Sequence, residues 1–349
     1  MLDRSIEKAT NSCKQITVSN CIHGEGSVTM SNKWDYATSP HIRTTETVQT
    51  VMVDVLIALF PVALTAVILF GYQALLAMVI SMVTAMVTEA ICRRSWNLLG
   101  DGSAAVTGLL LALTLPPALP WWLIAAGSFS AITIGKMVFG GTGNNIFNPA
   151  LVGRAVLMAS WGGKLADNWF FPQPFELGAD ITAVSTATPL MGEAEAYGVT
   201  LEQLFLGNMA GSMGETSALA LLVGAVWLFY KKQIDWRIPV GFVATVFVMG
   251  SLLGGGMYQD HLTTGLFHVV AGGVLLGALF MATDMVTSPV TPGGRLIFGI
   301  GCGFLTMVIR LYGTLPEGVF FAILIMNAIV PLIDHFTLPR KFGEVKSSA

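Results

Sequence analysis

SAAVTGLLLALTLPPALP, residues 103–120, runs apolar for little more than three helical turns and then meets Pro116, Pro117 and Pro120. A helix that crosses a hydrocarbon core of about 30 Å needs roughly 20 apolar residues. This one stops short, because each proline withholds an N–H and clashes with the turn before it. In lipid, a helix that ends at depth is tolerated only where protein or a cavity satisfies the freed backbone groups. The rest of the chain decides which solvent surrounds it.

That solvent is lipid. The 349 residues are 54% hydrophobic and 11% charged, against about 25% charged in a soluble domain. The mean hydropathy is +0.69. The apolar residues fall into about ten spans: 53–70, 73–91, 103–119, 121–139, 146–161, 217–230, 238–253, 262–282, 296–312 and 318–334. The reading is an all-α polytopic membrane protein of about ten transmembrane helices, some of them broken. A second break lies in NIFNPALVGRAVLMASW, which carries Pro149 and Arg154. Broken helices at two places predict a ligand or ion path through the middle of the bundle.

Charge sets the orientation. With residues 1–50 as a cytoplasmic tail, ten crossings put Arg93, Arg94, Lys136, Lys231, Lys232, Arg237, Arg295, Arg340 and Lys341 at the cytoplasmic side, leaving Lys164 and Arg310 outside. The chain then divides into a first five-helix repeat over 51–162, an extracytoplasmic loop over 163–215, a second five-helix repeat over 216–335 and a cytoplasmic tail over 336–349. GLLLALTLPP (108–117) is echoed loosely by GVLLGALFMATD (273–284). An odd number of crossings per half gives the halves inverted orientations. The first 36 residues are polar, lack the apolar region of a signal peptide and read as a disordered tail, with Met30 as an alternative start. Cys13, Cys21, Cys92 and Cys302 lack metal-ligand spacing. A net charge of −3 gives no sign of nucleic-acid binding.

Three stretches carry candidate chemistry. In GGTGNNIFNPALVGR (140–154), a glycine-rich turn and Asn144, Asn145 and Asn148 enter the broken helix. They serve either helix packing or a site for a polar, planar ligand. The stretch is no phosphate loop of the GxxxxGK[ST] kind, since the lysine is missing. In TDMVTSPVTPGGR (283–295), Asp284 beside Thr283, Thr287 and Ser288 is either an interfacial turn residue or part of a cation or proton path. His268, in the span before it, either joins a proton path or bonds a neighbouring helix. The third stretch is DITAVSTATPL (180–190), four hydroxyl side chains in an acidic loop. It is either simply solvated or a substrate for a modifying enzyme, because Pro189 biases Thr188 towards extended backbone.

SPHIRTTETVQ (39–49), GGTGNNIFNPALVGRAVLMASW (140–161), STATPL (185–190), TDMVTSPVTPGGRLIFGIG (283–301) and LPEGVFFAILIMNAIVPLID (315–334) together resemble the D subunits of Rnf electron-transport complexes. These are similar to the B subunit of the sodium-pumping NADH:quinone reductase. The resemblance covers about 39–339. It implies ten helices in two inverted five-helix repeats, and a complex that passes electrons between ferredoxin and NAD while moving Na⁺ or H⁺. It also implies FMN joined by a phosphodiester to the last threonine of an [ST]GAT pattern preceded by an acid. Here that pattern falls on Asp180, Ser185, Thr186, Ala187 and Thr188, with Thr186 where glycine is usual, and Thr188 is the expected attachment point. A transferase that uses FAD would install it outside the membrane. A second, non-covalent flavin, riboflavin or FMN, is expected in the bundle, with Asn144, Asn145 and Asn148 as its candidate contacts. The implied partners are the A, B, C, E and G subunits, and the implied place is the inner (cytoplasmic) membrane, with both termini cytoplasmic. A solute channel or transporter of similar inverted-repeat fold, without redox chemistry, is the competing reading.

Overall fold

The computed structural model describes residues 47–94, 100–166, 205, 207, 211–215, 217–254, 260–313 and 318–339. Asp180, Ser185, Thr186, Ala187 and Thr188, and residues 1–46 and 340–349 of the two tails, lie outside them. Among the described residues the regular structure is entirely helical.

Helix α1 (Val48–Phe70) begins at Thr47, whose hydroxyl accepts from the Thr50 N–H, and meets α2 (Tyr72–Arg93) across the single residue Gly71. Both carry apolar residues on their outward faces as well as their inward ones. On α1 the outward Ile57, Phe60, Leu64 and Ile68 are as apolar as the inward Leu59, Val62 and Ala66, as a lipid-facing helix requires. With α10 (Pro292–Tyr312) and α11 (Val319–Thr337), these are the four helices among the described residues that are long and apolar enough to cross a membrane. A fifth is added if α8 (His261–Val270) and α9 (Val274–Leu276) form one span with the π-helical turn Gly277–Met281, bent by 59°.

The remaining helices are shorter or kinked. They are α3 (Ser103–Thr114), α4 (Trp121–Ile132) running into a π-helical turn Thr133–Met137, α5 (Pro149–Ala166) with a kink at Trp161, α6 (Ala218–Tyr230) and α7 (Arg237–Leu253). Every residue of α3 is buried. It has no lipid face, so its length need not match the bilayer.

The expected break at Pro149 and Arg154 is instead a helix start, since α5 begins at Pro149 and runs unbroken through Arg154. The two breaks inside the bundle lie beyond α3 and beyond α8, and both are satisfied by protein. Beyond α3, the Leu113 and Leu115 carbonyls accept from the backbone N–H groups of Gly214 (2.7 Å) and Met213 (3.3 Å). Prolines 116 and 117 leave these acceptors free, and a distant segment fills them. Beyond α8, Arg310 of α10 donates to the carbonyls of His268 (2.7 Å), Ala271 (2.9 Å) and Gly272 (2.7 Å).

The packing repeats between the halves. Helix α2 packs on α3 and α4, and α4 on α5; α7 packs on α8 and α10, and α10 on α11; α1 packs on α6. Since lipid is as apolar as leucine, these contacts rest on close van der Waals fit and on hydrogen bonds between helices. A Cβ added at Gly303 of α10 would come within 2.7 Å of the Phe242 carbonyl oxygen on α7. Between α2 and α3, the Ser81 hydroxyl donates to the Gly108 carbonyl at 2.6 Å and lies 2.9 Å from that of Ser128 on α4.

Candidate functional site

A cavity of about 120 Å³ opens between the two halves, roughly ten times the space a single water requires. Its polar lining includes Ser103 and Thr107 at the start of α3, Lys136 in the first π-helical turn, Asn145 and Asn148 before α5, and Asp284 after the second π-helical turn. Met52, Val55, Leu110 and Phe280 form apolar walls. Both π-helical turns therefore border the same space, through Lys136 and Phe280. Turns of this kind are rare and recur at functional sites.

Local sequence explains the shape of the first wall. Gly140, Gly141 and Gly143 take φ of 108°, 98° and 94°, a region closed to side chains bearing a Cβ. The chain thereby turns back to present Asn145 and Asn148. Asn148 accepts from the Ala150 N–H at 3.1 Å, capping α5, and donates to the Met281 carbonyl at 3.1 Å. One side chain thus joins a helix start in one half to the end of the π-helical turn in the other. Asn327 of α11 adds to this seam. With its amide turned so that Nδ2 faces the Thr287 carbonyl (3.3 Å), its oxygen accepts from the Asn148 N–H (3.2 Å). Asn145 donates to the Phe147 carbonyl at 3.2 Å.

Behind Lys136 lies a charge network. Its Nζ donates to Glu89 Oε1 at 2.9 Å and to the Ser103 hydroxyl. Glu89 also pairs with Arg93, one turn along α2. Asp101 accepts from the Ser103 hydroxyl (2.7 Å) and from Thr142 (2.7 Å), and Thr142 accepts from Arg93 (2.8 Å). Burial alone would raise the Asp101 carboxyl, but the hydrogen bonds from Thr142 and Ser103 and the Lys136 charge outweigh it and hold Asp101 well below the usual carboxylate range. Two acids thus face two bases, and each buried charge has a partner.

On the opposite side, Asp284 organises its own turn. One oxygen accepts from the Val286 N–H (3.4 Å), the other from the Thr287 hydroxyl (3.2 Å). Gln233, in the loop between α6 and α7, lines the cavity with no side-chain hydrogen bond among the described residues. That loop is fixed by Asp235, which accepts from Arg237 (2.9 Å) and Arg295 (2.8 Å). Burial pushes the Asp235 carboxyl up, and the bonds from Arg295 and Arg237 more than offset this and hold it low.

The structure thus brings two of the three sequence constellations together, Asn145 and Asn148 with Asp284. Asn144 is exposed and lies outside the cavity lining. Arg154 is buried, with its guanidinium 4.3 Å from the centre of the Phe320 ring on α11. His268 is buried in α8, also away from the cavity, and its ring nitrogens have no hydrogen-bond partner among the described residues. Sequence reasoning missed Lys136, Glu89, Asn327 and Gln233. For the first three a signal existed, since a charged or amide side chain inside an apolar helix is costly and usually has a purpose. Gln233 carries no such mark.

The profile of the family described as NQR2, RnfD, RnfE matches residues 35–343. The chain is 44% identical over 333 residues to the D subunit of the proton-translocating ferredoxin:NAD(+) oxidoreductase complex of Clostridium ljungdahlii, covering 89% of this chain and 97% of that one. It is 43% identical over 319 residues to the D subunit of the Na(+)-translocating ferredoxin:NAD(+) oxidoreductase complex of Acetobacterium woodii, covering 89% and 95%. It is 42% identical over 328 residues to the D subunit of the ion-translocating oxidoreductase complex of Stutzerimonas stutzeri, covering 85% and 92%.

Proposed function

Because the chain belongs to the NQR2, RnfD, RnfE family, we propose that it is the flavin-carrying membrane subunit of an ion-translocating ferredoxin:NAD oxidoreductase. It works with the A, B, C, E and G subunits and relays electrons across the inner membrane, coupled to movement of Na⁺ or H⁺. One flavin is FMN, attached to Thr188 by a transferase that takes it from FAD. The other is riboflavin or FMN, held without a covalent bond in the cavity between the halves. The ten crossings are arranged as two inverted repeats, a reading supported by the matching sets of helix contacts, α2–α3, α2–α4 and α4–α5 against α7–α8, α7–α10 and α10–α11. Both termini are then cytoplasmic, and the Thr188 loop is extracytoplasmic.

The observation that carries the second site is the donor set. Amide and hydroxyl groups of Asn145, Asn148, Thr107 and Ser103 line one side, apolar Met52, Val55 and Phe280 others. A flat ring with a polar edge requires this pairing of surfaces. Gln233 and the third N–H of Lys136 remain available to that edge. A bound flavin supplies the capacity to accept and donate electrons, and the protein supplies position, hydrogen bonds and exclusion of water. Asn148 orients the site by tying the two halves, and the buried walls keep bulk water from it. Asp284 faces the same space and is the candidate for the ion path. Thr188 acts as an anchor, since an unactivated hydroxyl is a poor nucleophile and needs a dedicated enzyme to modify it.

The test is flavin analysis of the purified complex. Thr188→Ala abolishes flavin fluorescence of the denatured polypeptide on a gel, and Asn145→Ala with Asn148→Ala releases the non-covalent flavin only. Fluorescence that persists in Thr188→Ala and is lost in Thr186→Ala moves the attachment to Thr186. Full non-covalent flavin in the double asparagine variant removes it from the cavity.

A further inference from the structure

We propose that Lys136 is a positioning residue that sets the electron affinity of the ring held in the cavity, with Glu89 behind it as a counterweight. The inference rests on the reading of this cavity as the second flavin site.

Lys136 is 2% exposed and lines the cavity, whereas Glu89, Arg93 and Asp101 do not. Its Nζ has three N–H groups. One goes to Glu89 at 2.9 Å, one to Ser103, and the third has no bond among the described residues. The π-helical turn Thr133–Met137 places it there, at the end of α4. Glu89 and Asp101 together balance Arg93 and Lys136, so the network carries no net charge. It is nevertheless polarised, with the positive member at the cavity wall and the negative member behind it.

Electrons delivered to a ring at this wall add negative charge beside Lys136. No covalent bond forms or breaks; the electron comes from the redox partner that the complex provides. A fixed positive charge within a few ångströms favours that electron, and in a partly desolvated site the effect far exceeds its value in water. Ser103 and Glu89 hold the ammonium in place beforehand, so little rearrangement accompanies the arrival of charge. Glu89, farther from the cavity, opposes the effect in part. A purely structural ion pair would depend on neither the sign nor the distance of its members from the cavity.

The experiment is a charge cycle in the purified complex: Glu89→Gln, Lys136→Met and the double variant. The readouts are the non-covalent flavin content and its midpoint potential by optical titration. Lys136→Met removes an N–H from the ring edge and lowers the flavin content, so the potentials are compared on the flavin-loaded fraction, while Glu89→Gln keeps the wild-type content. Lys136→Met lowers the potential by about tenfold in the equilibrium constant, which is 59 mV for one electron, and Glu89→Gln, farther from the ring, raises it by less. The double variant falls between wild type and Lys136→Met, because the nearer charge is the positive one. It also keeps the proposal testable should a single variant fail to assemble, since it leaves no buried charge unpaired. A double variant with the wild-type potential, or a rise in Lys136→Met, overturns the inference. If flavin is lost from the asparagine variants while the charge series leaves the potential unmoved, the inference fails and the site stands. If the asparagine variants keep their flavin, the site fails and the inference with it.

Discussion

Asp284 illustrates how little a side chain's contacts reveal about its charge. Both carboxylate oxygens accept within the local turn, from the Val286 N–H and the Thr287 hydroxyl, yet the residue also lines the cavity. The substitution Asp284→Asn separates the two roles. The amide oxygen still accepts from Val286, and the Thr287 hydroxyl can accept from the amide nitrogen, so the turn is kept at a cost under about 1 kcal/mol. The charge is gone. We expect full flavin content and reduced ion uptake per electron transferred, measured in vesicles containing the assembled complex. Unchanged uptake would confine Asp284 to the turn. At this scale the sequence was legible where polarity was out of place. Asn145, Asn148 and Asp284 stand out against apolar surroundings, whereas Gln233 sits in a loop where glutamine is ordinary, and only the fold brings it to the cavity.

At the scale of helices, small residues decide how closely the halves are built. A Cβ at Gly303 would meet both the Phe242 carbonyl oxygen at 2.7 Å and Thr245 Cβ at 2.8 Å, and neither can yield without moving the α7 backbone. Gly303→Leu therefore forces α7 and α10 apart. We expect about 1–3 kcal/mol of destabilisation, read as a lower unfolding temperature of the detergent-solubilised protein, and no change for Gly293→Ala, where a Cβ meets nothing within 4 Å. Equal melting of the two variants would mean that the α7–α10 contact is not limiting. The ends of helices were readable in advance, because Pro116 and Pro117 stop α3 by a local rule. What receives the freed carbonyls was not. Gly214 lies 101 residues from Leu113, with which it bonds, and no local pattern in the sequence links the two. The same holds for Arg310, placed by the charge pattern at the outer end of the span 296–312, whose guanidinium caps the broken end of α8.

For the molecule as a whole, composition gave the solvent and the helical class, while the count of crossings depends on helices too short to be recognised by length. Among the described residues four pass that test, or five with the bent pair, because interior helices such as α3 are surrounded by protein and are under no pressure to reach 20 residues. The ten-crossing arrangement makes a direct prediction. A cysteine introduced at Glu195 reacts with an impermeant thiol reagent in intact cells, and one at Gln233 reacts only after the membrane is opened; the opposite pattern excludes this orientation. The wholly buried α3 also bears on how the chain is made. Twelve residues ending in prolines are a poor signal for lateral release into lipid, and the groups that complete this helix, the N–H groups of Met213 and Gly214, are synthesised about a hundred residues later. At roughly 5–20 residues per second, α3 waits several seconds for the partners of its last carbonyls. It must shelter during that time against α2 or within the insertion machinery, so assembly of the first half is finished only by the end of the loop that follows it.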